Sequence, residues 1–341
     1  MKVYVIAFTK KGTVLAAKIC QNLEKAMCFS MKITQDDIEM VTSLEEWTQK
    51  AFEKADGIVF VGACGIAVRA IAPYLKDKYQ DPAVVVTDEK GQFVISLLSG
   101  HIGQANALSK KVAQIVNGTA VITTATDVNE VFAVDTWVKE NGFVCLKPEK
   151  AKKAMKEIAA ALLEGKTVGF DSMFYYNKLP KGLTAKKEGE IGISVSIYKQ
   201  HKLYAQTLAL IAPVVHMGIG CKKGISCEEI EEVVFSVLEE ENIAMEAIEA
   251  VATIDLKQNE KGLISFCESY HKPLHTFTAE QLSDIKGSIS ASEFVEEVTG
   301  VDNVCERAAL CSAQKGKIIV TKKAKNGVTV ALAVKPIVLL F

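Results

Sequence analysis

His101, one of five histidines in a chain of 341 residues, stands in the run Ser99-Gly-His-Ile-Gly-Gln-Ala-Asn106, directly after the apolar stretch Val94–Leu98. A histidine between glycines at a strand end is placed to take or give a proton near neutral pH; the competing reading is an imidazole that only ties its own turn together. Asp127 closes Thr123-Thr-Ala-Thr-Asp127, where its carboxylate is either a second acid–base group or a cap for the helix that follows. Two further loops have the composition of ligand sites. Gly62-Ala-Cys-Gly65 follows the run Ile58–Val61 and has Arg69 one turn into the next helix, and Gly218–Gly224 follows Val214–Met217. Small residues let a ligand approach the backbone, and helix N-terminal amides attract anions, although a tight chain reversal selects glycine as well. Cys64 and Cys221 sit where a helix N-terminus could activate a thiol, but without a partnered histidine they read as small buried residues instead.

Other chemistries lack a complete motif. Gly218-Ile-Gly220 is only part of a dinucleotide fingerprint, and Lys222-Lys223 do not complete a phosphate-binding loop. The nine cysteines contain no CxxC pair, and Pro273 between His271 and His275 breaks any helix that would align those two imidazoles. No protein-held metal is therefore expected, and the thiols read as reduced. A net charge of −1 argues against a nucleic-acid partner. No apolar run reaches membrane-span length, and Met1–Phe8 reads as a first strand rather than an export signal, so the expected location is the cytoplasm.

The loops need elements to hold them. The runs 3–8, 58–61, 83–87, 93–98, 120–123, 143–146 and 167–170 are continuously apolar, as strands covered on both faces are. Helices are expected from Ser43 (with Glu46) to Asp56, from Gln104 to Asn117, from Asp127 to Asn141, and from Pro148 to Gly165. Ile191–Tyr198 and Leu203–Ile211 read as neighbouring strands joined by a polar turn at 199–202. A second pattern begins after Pro213. It has capping boxes at Ser226/Glu229, Thr278/Gln281 and Ser290/Glu293, and a closing hairpin around Asn326-Gly327. The expected fold is α/β: two three-layer α/β domains, 1–147 and 213–341, joined by a smaller middle segment, 148–212.

These runs resemble a known family. Val68–Asp88, Ile95–Asn106 and Val121–Asp127 are similar to the N-terminal half of the CbiG family, which acts as cobalt-precorrin-5A hydrolase in anaerobic vitamin B12 synthesis. Gly218–Lys222, Ala252–Lys257, Ser290–Val295 and Gly300–Leu310 are similar to its C-terminal half. Gln104 stands where that pattern has a second glycine. The resemblance implies a cobalt-bound tetrapyrrole substrate whose ring A δ-lactone is opened with loss of acetaldehyde, the cobalt arriving with the substrate rather than as a cofactor. It implies His101 and Asp127 as catalytic candidates. For substrate binding it implies Gly62, Gly65, Arg69, Ser99, Gly100, Asn106, Thr124, Thr126, Gly218, Gly220, Cys221, Lys222, Lys257, Ser290, Glu306 and Arg307. Of 40 Lys and Arg only Arg69 and Arg307 are arginine, and both fall in these runs, where a planar guanidinium suits a carboxylate arm. Other enzymes of that pathway are candidate partners. Two rivals are a non-catalytic corrinoid carrier and an ordinary nucleotide-binding α/β enzyme.

Overall fold

The computed structural model describes residues 1–33, 37–77, 80–101, 103–129, 131–187, 189–199, 203–285 and 303–341. The expected helix start at Ser290, and Ser290 itself as a substrate contact, lie outside the described residues. The chain forms two compact units, Met1–Thr136 and Trp137–Phe341.

In the first unit, β1 (Val3–Ala7), β2 (Ala26–Ser30), β3 (Ile38–Met40), β4 (Gly57–Val61), β5 (Ala83–Thr87), β6 (Phe93–Leu98) and β7 (Thr119–Val121) make one sheet, ordered β3-β2-β1-β4-β5-β6-β7. Every residue of β1, β4 and β5 is buried, because alternate side chains enter two different cores. Val3, Val5 and Val59 meet Ala16 and Ile19 of α1 (Lys10–Gln21) and Leu108 and Val112 of α4 (Ala105–Val116). Tyr4, Ile6 and Phe60 meet Trp47 and Ala51 of α2 (Leu44–Lys54) and Ala67 and Ile71 of α3 (Cys64–Ile71). The result is the expected three-layer α/β sandwich.

One feature of this sheet decides where the loops go. β1 to β5 pair in parallel, but β6 runs antiparallel to β5, and β7 follows β6. Only residues 88–92 join β5 to β6, and a parallel crossover needs roughly a dozen or more. Asp88 closes that turn by accepting from the amides of Lys90 and Phe93.

Two local expectations fail. The helix after Asp127 is broken into α5 (Ala125–Val128) and α6 (Val134–Glu140), so Asp127 lies inside a short helix whose N-cap is Thr124. The run 143–146 is not a strand: Val144 makes a single bridge to Ile211, and Phe143 packs edge-on against Trp137 instead.

In the second unit, α7 (Pro148–Leu163) lies on a four-stranded sheet, β10-β8-β11-β12. Its strands are β8 (Val168–Ser172), β10 (Leu183–Thr184), β11 (Ile191–Ser196) and β12 (Gln206–Ile211). β11 and β12 are neighbours, as expected, but they pair in parallel, so a tight turn does not join them. The pair β9 (Tyr175–Tyr176) and β18 (Val338–Leu339) brings the last residues back onto this segment. There Phe341 stacks on Trp137 with centroids 5.0 Å apart, and the Trp137 indole donates to the Leu340 carbonyl.

The remaining sheet is ordered β15-β14-β13-β17-β16, from β13 (Val215–Cys221), β14 (Ile248–Ile254), β15 (Leu274–Phe277), β16 (Lys317–Lys325) and β17 (Val328–Val334). β16 and β17 form the expected hairpin, with Asn326 (φ 52°) and Gly327 (φ 84°) in the left-handed conformation that a two-residue turn demands. The Ser226/Glu229 box starts α8 (Cys227–Glu240), which packs on α9 (Lys261–Ser269). The Thr278/Gln281 box starts α10 (Ala279–Ser283). α11 (Val304–Ser312) sets Val304 and Ala308 against Ala252 and Ile254.

At the start of β13, His216 is buried, with Nδ1 2.7 Å from the Ser312 hydroxyl, which also lies 2.8 Å from Nδ1 of His275. Burial holds the His216 imidazole below its ordinary value; Glu249 opposes this, while Lys335 and His275 reinforce it. A histidine kept neutral in the fold binds its proton more readily in the unfolded chain. Its contribution to stability is therefore full above the unfolded value of about 6.5 and declines as pH falls below it. Thermal unfolding between pH 8 and pH 5 is expected to show a melting temperature that drops on acidification, with a shallower drop in His216→Gln. Equal slopes for the two proteins refute the assignment.

Candidate active site

The reversal of β6 sends its carboxyl end, and that of β7, to the edge of the sheet where β4 and β5 begin. Leu98 pairs with Val84 at the start of β5, whereas Val94 pairs with Thr87 at its end, beside Val61. The loop Gly62–Gly65 and Arg69, which follow Val61, are therefore on the opposite edge from His101 and Asp127.

At the His101 edge the chain builds a connected polar cluster. His101 Nε2 lies 2.7 Å from Asp127 Oδ2 and 3.0 Å from the Thr126 hydroxyl. The side chains of His101 and Asp127 are 18% and 25% exposed, so the pair is partly sheltered yet open to a ligand. Asn106 Nδ2 donates to Asp127 Oδ2 at 2.8 Å and to Thr124 Oγ1 at 3.3 Å, while Ser96 Oγ donates to Asn106 Oδ1 at 2.6 Å. A carboxylate only accepts, so the proton between His101 and Asp127 sits on Nε2 and leaves Nδ1 with its lone pair. The dyad can therefore present Nδ1 as a general base and stabilise the imidazolium that results.

The backbone around the dyad explains its glycines. Ser99 (φ 57°) and Gln104 (φ 67°) are both left-handed, the conformation glycine adopts without strain; this is the physical reason a glycine fits at 104. A Cβ on Gly100 would lie 2.9 Å from Asn106 Oδ1, and one on Gly103 would lie 2.4 Å from the Ser99 Cβ. The amides of Gln104, Ala105 and Asn106 are taken by the carbonyls of His101, Ser99 and Gly100. The hydroxyl of Ser99 is buried with no partner among the described residues.

On the other edge, Arg69 is exposed and turns back over its loop, Nη1 donating to the Gly65 carbonyl at 3.2 Å. Among the described residues it forms no ion pair with Asp88 or Asp127. A Cβ on Gly62 would meet the Phe8 ring at 2.8 Å.

In the second unit the expected loop Gly218–Gly224 is strand as far as Cys221: Gly218 lies mid-strand in β13 against α11, while Gly220, Cys221, Lys222 and Lys257 lie towards the carboxyl ends of β13 and β14. Glu260, which the sequence pattern did not single out, joins them: it accepts from the Gly224 amide at 2.7 Å and sits 3.6 Å from Lys257 Nζ. Burial pushes the Cys221 thiol up, against the pull of Lys257, which makes it a poor nucleophile. Lys222 gives its amide to Gly327 and lays its stem across that glycine. Glu306 and Arg307 serve the fold around them. Glu306 is fully buried and accepts from the Lys322 amide at 2.7 Å, and Arg307 Nη1 donates to the carbonyls of Leu282 and Ser283, at the end of α10, and of Ile285 just beyond it.

Ser96 was also missed from the sequence. Its signal was a lone hydroxyl inside the run Val94-Ile-Ser-Leu-Leu98, ten residues before the asparagine it holds.

Residues 46–127 match the family model described as Cobalamin synthesis G N-terminal, and residues 215–333 match Cobalamin synthesis G C-terminus. The chain is 32% identical to a cobalt-precorrin-5A hydrolase of Salmonella typhimurium, over 96% of this chain and 95% of that protein. It is 30% identical to one of Priestia megaterium, over 97% and 94%. A crystal structure of a cobalamin biosynthesis protein G homologue from Sulfolobus solfataricus aligns with 98% of this chain and 97% of its own, at 23% identity and a TM-score of 0.42.

Proposed function

The chain belongs to the cobalamin synthesis G family, and from that premise we propose that its His101–Asp127 dyad carries the hydrolysis for which its full-length relatives are named. The chain hydrolyses cobalt-precorrin-5A. The bond broken is the ring A δ-lactone. His101 Nδ1 takes a proton from water, the oxygen adds to the lactone carbonyl, and the charge that develops there is met by amides of the Ser99–Gly103 turn. Collapse breaks the acyl C–O bond and leaves a ring A carboxylate. The alkoxide so released becomes the carbonyl of the two-carbon fragment, acetaldehyde, as the carbon–carbon bond joining that fragment to the macrocycle breaks; the electron pair of this bond stays on the ring carbon, and the proton held by His101 neutralises it. Cobalt enters as part of the substrate. The observation that carries this reading is the 2.7 Å contact that fixes the His101 tautomer.

Anaerobic incubation with the lactone substrate, without added metal or nucleotide, is expected to release acetaldehyde in step with substrate loss. Tetrapyrrole binding without turnover overturns the hydrolase reading, and loss of turnover on chelation that zinc restores overturns the metal-free one. The setting is the cytoplasm, and no described helix is long and apolar enough to cross a membrane.

Arg69 opens on the edge of the sheet opposite the dyad, so it does not reach a substrate whose ring A lies at His101. Arg69→Lys is therefore expected to leave turnover, affinity and melting temperature unchanged. Substrate binding weakened by about 1–3 kcal/mol in that variant instead puts a carboxylate arm on the paired guanidinium donors and moves the macrocycle off the dyad.

A further inference from the structure

Asn106 falls within the substrate-contact runs by sequence, yet the residue is 6% exposed and both ends of its side-chain amide are taken by Ser96, Thr124 and Asp127. Asp127 Oδ2 accepts from Asn106 Nδ2 and lies 2.7 Å from His101 Nε2, so one carboxylate oxygen joins the two side chains. The amide cannot be turned over: its oxygen would then face the Asp127 carboxylate, and two acceptors repel. Ser96, from β6, holds the oxygen end at 2.6 Å, and Thr124, the N-cap of α5, takes the second amide hydrogen in place of a capping bond. Three elements are thus clamped by one buried side chain, and Gly100 leaves it the room.

We propose that Asn106 is a positioning residue of the hydrolase: it sets the orientation of Asp127, and through it the tautomer and aim of the His101 imidazole, without touching substrate. The proposal rests on the hydrolase reading above. Losing the clamp lets the carboxylate rotate away from Nε2, and a misplacement of about 1 Å at a reacting group can cost on the order of a hundredfold in turnover.

The test uses the full chain with Asn106→Asp and Asn106→Ser. Asn106→Ser is expected to lower kcat roughly ten- to a hundredfold with KM unchanged. Asn106→Asp places two carboxyl groups in contact. They share a proton only in acid, where one donates to the other as the amide did, so its kcat–pH profile is expected to move to lower pH by about one unit or more, with activity recovering there. An internal packing role lowers stability but moves neither profile, and a raised KM with normal kcat makes Asn106 a substrate contact; either result overturns the proposal. The ring N–H resonance of His101, followed by NMR without substrate, keeps the two readings apart. It should be sharp in the native protein, exchange-broadened in Asn106→Ser, and restored in acid for Asn106→Asp. If the native protein shows no turnover the hydrolase reading fails, while an unaltered resonance in both variants sinks the positioning role on its own.

Discussion

His101→Ala is expected to lower turnover by a factor of about a hundred to ten thousand, the usual contribution of a general acid–base group, while substrate affinity stays within a few-fold. The alanine leaves the turn itself intact, because its hydrogen bonds at 104, 105 and 106 run through backbone carbonyls. It also leaves Asp127 held by Asn106. What disappears is the lone pair on Nδ1. Asp127→Asn tests the other member of the dyad. Its amide oxygen takes the place of Oδ2, accepting from Asn106 and from Nε2–H, so the imidazole and its tautomer stay but the negative charge that stabilises the imidazolium is lost. Turnover should therefore fall by a comparable order in Asp127→Asn, and the double variant should lose little more than either single one, since the two act as a unit. Steady-state kinetics under anaerobic conditions measure all three proteins. A His101→Ala variant with near-normal turnover, or fully additive losses, breaks the assignment.

The composition of this site was legible in the sequence, but its position was not. His101, Asp127, Thr124, Thr126 and Asn106 fall in motif runs and converge on one cluster. Three of the four candidate loops do follow strand ends; the fourth does not, because β13 runs on through Gly218–Cys221 and only 222–224 turn away from it. What apolar runs cannot reveal is strand direction, because a strand buried on both faces reads the same forwards and backwards. The signal that did exist was the short stretch 88–92, too brief for a crossover, and it places Arg69 and His101 on opposite edges. Helices with strong ends were readable: Ser43, Ser226 and Thr278 each cap the helix expected of them. α1 was not, because it opens with Lys10-Lys11-Gly12 and no acidic residue, leaving the Thr9 cap as its one marker. β3 is only three residues long and shows no periodicity.

Gly218→Ala is the second large effect, and it is expected in stability. A Cβ at this position would lie 1.8 Å from the carbonyl oxygen of Cys305 and 3.0 Å from the amide nitrogen of Ala309, both in the backbone of α11. No rotamer change relieves a clash with backbone, so the whole helix must move off β13. Moving it opens the core where Val304 and Ala308 meet Ala252 and Ile254, and it pulls on the buried Glu306. Overpacking usually costs about 1–3 kcal/mol; a clash against a helix backbone should reach or exceed the top of that range. The two tryptophans make this measurable, since Trp47 lies in the first unit and Trp137 in the second. In single-tryptophan backgrounds, denaturant unfolding reported by Trp137 should shift to lower concentration while that reported by Trp47 holds. If both midpoints stay in place and only substrate affinity falls, Gly218 is there for the ligand, as the motif suggested, and not for the helix.

The stacking of Phe341 on Trp137, and the indole bond to Leu340 across 203 positions, also has a meaning in time. A ribosome delivers the strands of the first unit together, and their neighbours in the sheet are close in sequence, so that unit can close while synthesis continues. The four-stranded sheet of the second unit is made next, with Phe143 against Trp137 and Tyr176 against Phe170, but the Phe341 ring that stacks on Trp137 and meets Phe170 edge-on arrives only after the C-terminal sheet has been made. Long-range closure of this kind is slow and leaves apolar surface open to other chains. The second half of the protein is thus the part whose yield should depend most on growth temperature and on chaperones, and premature stops near residue 335 should give insoluble rather than merely inactive protein.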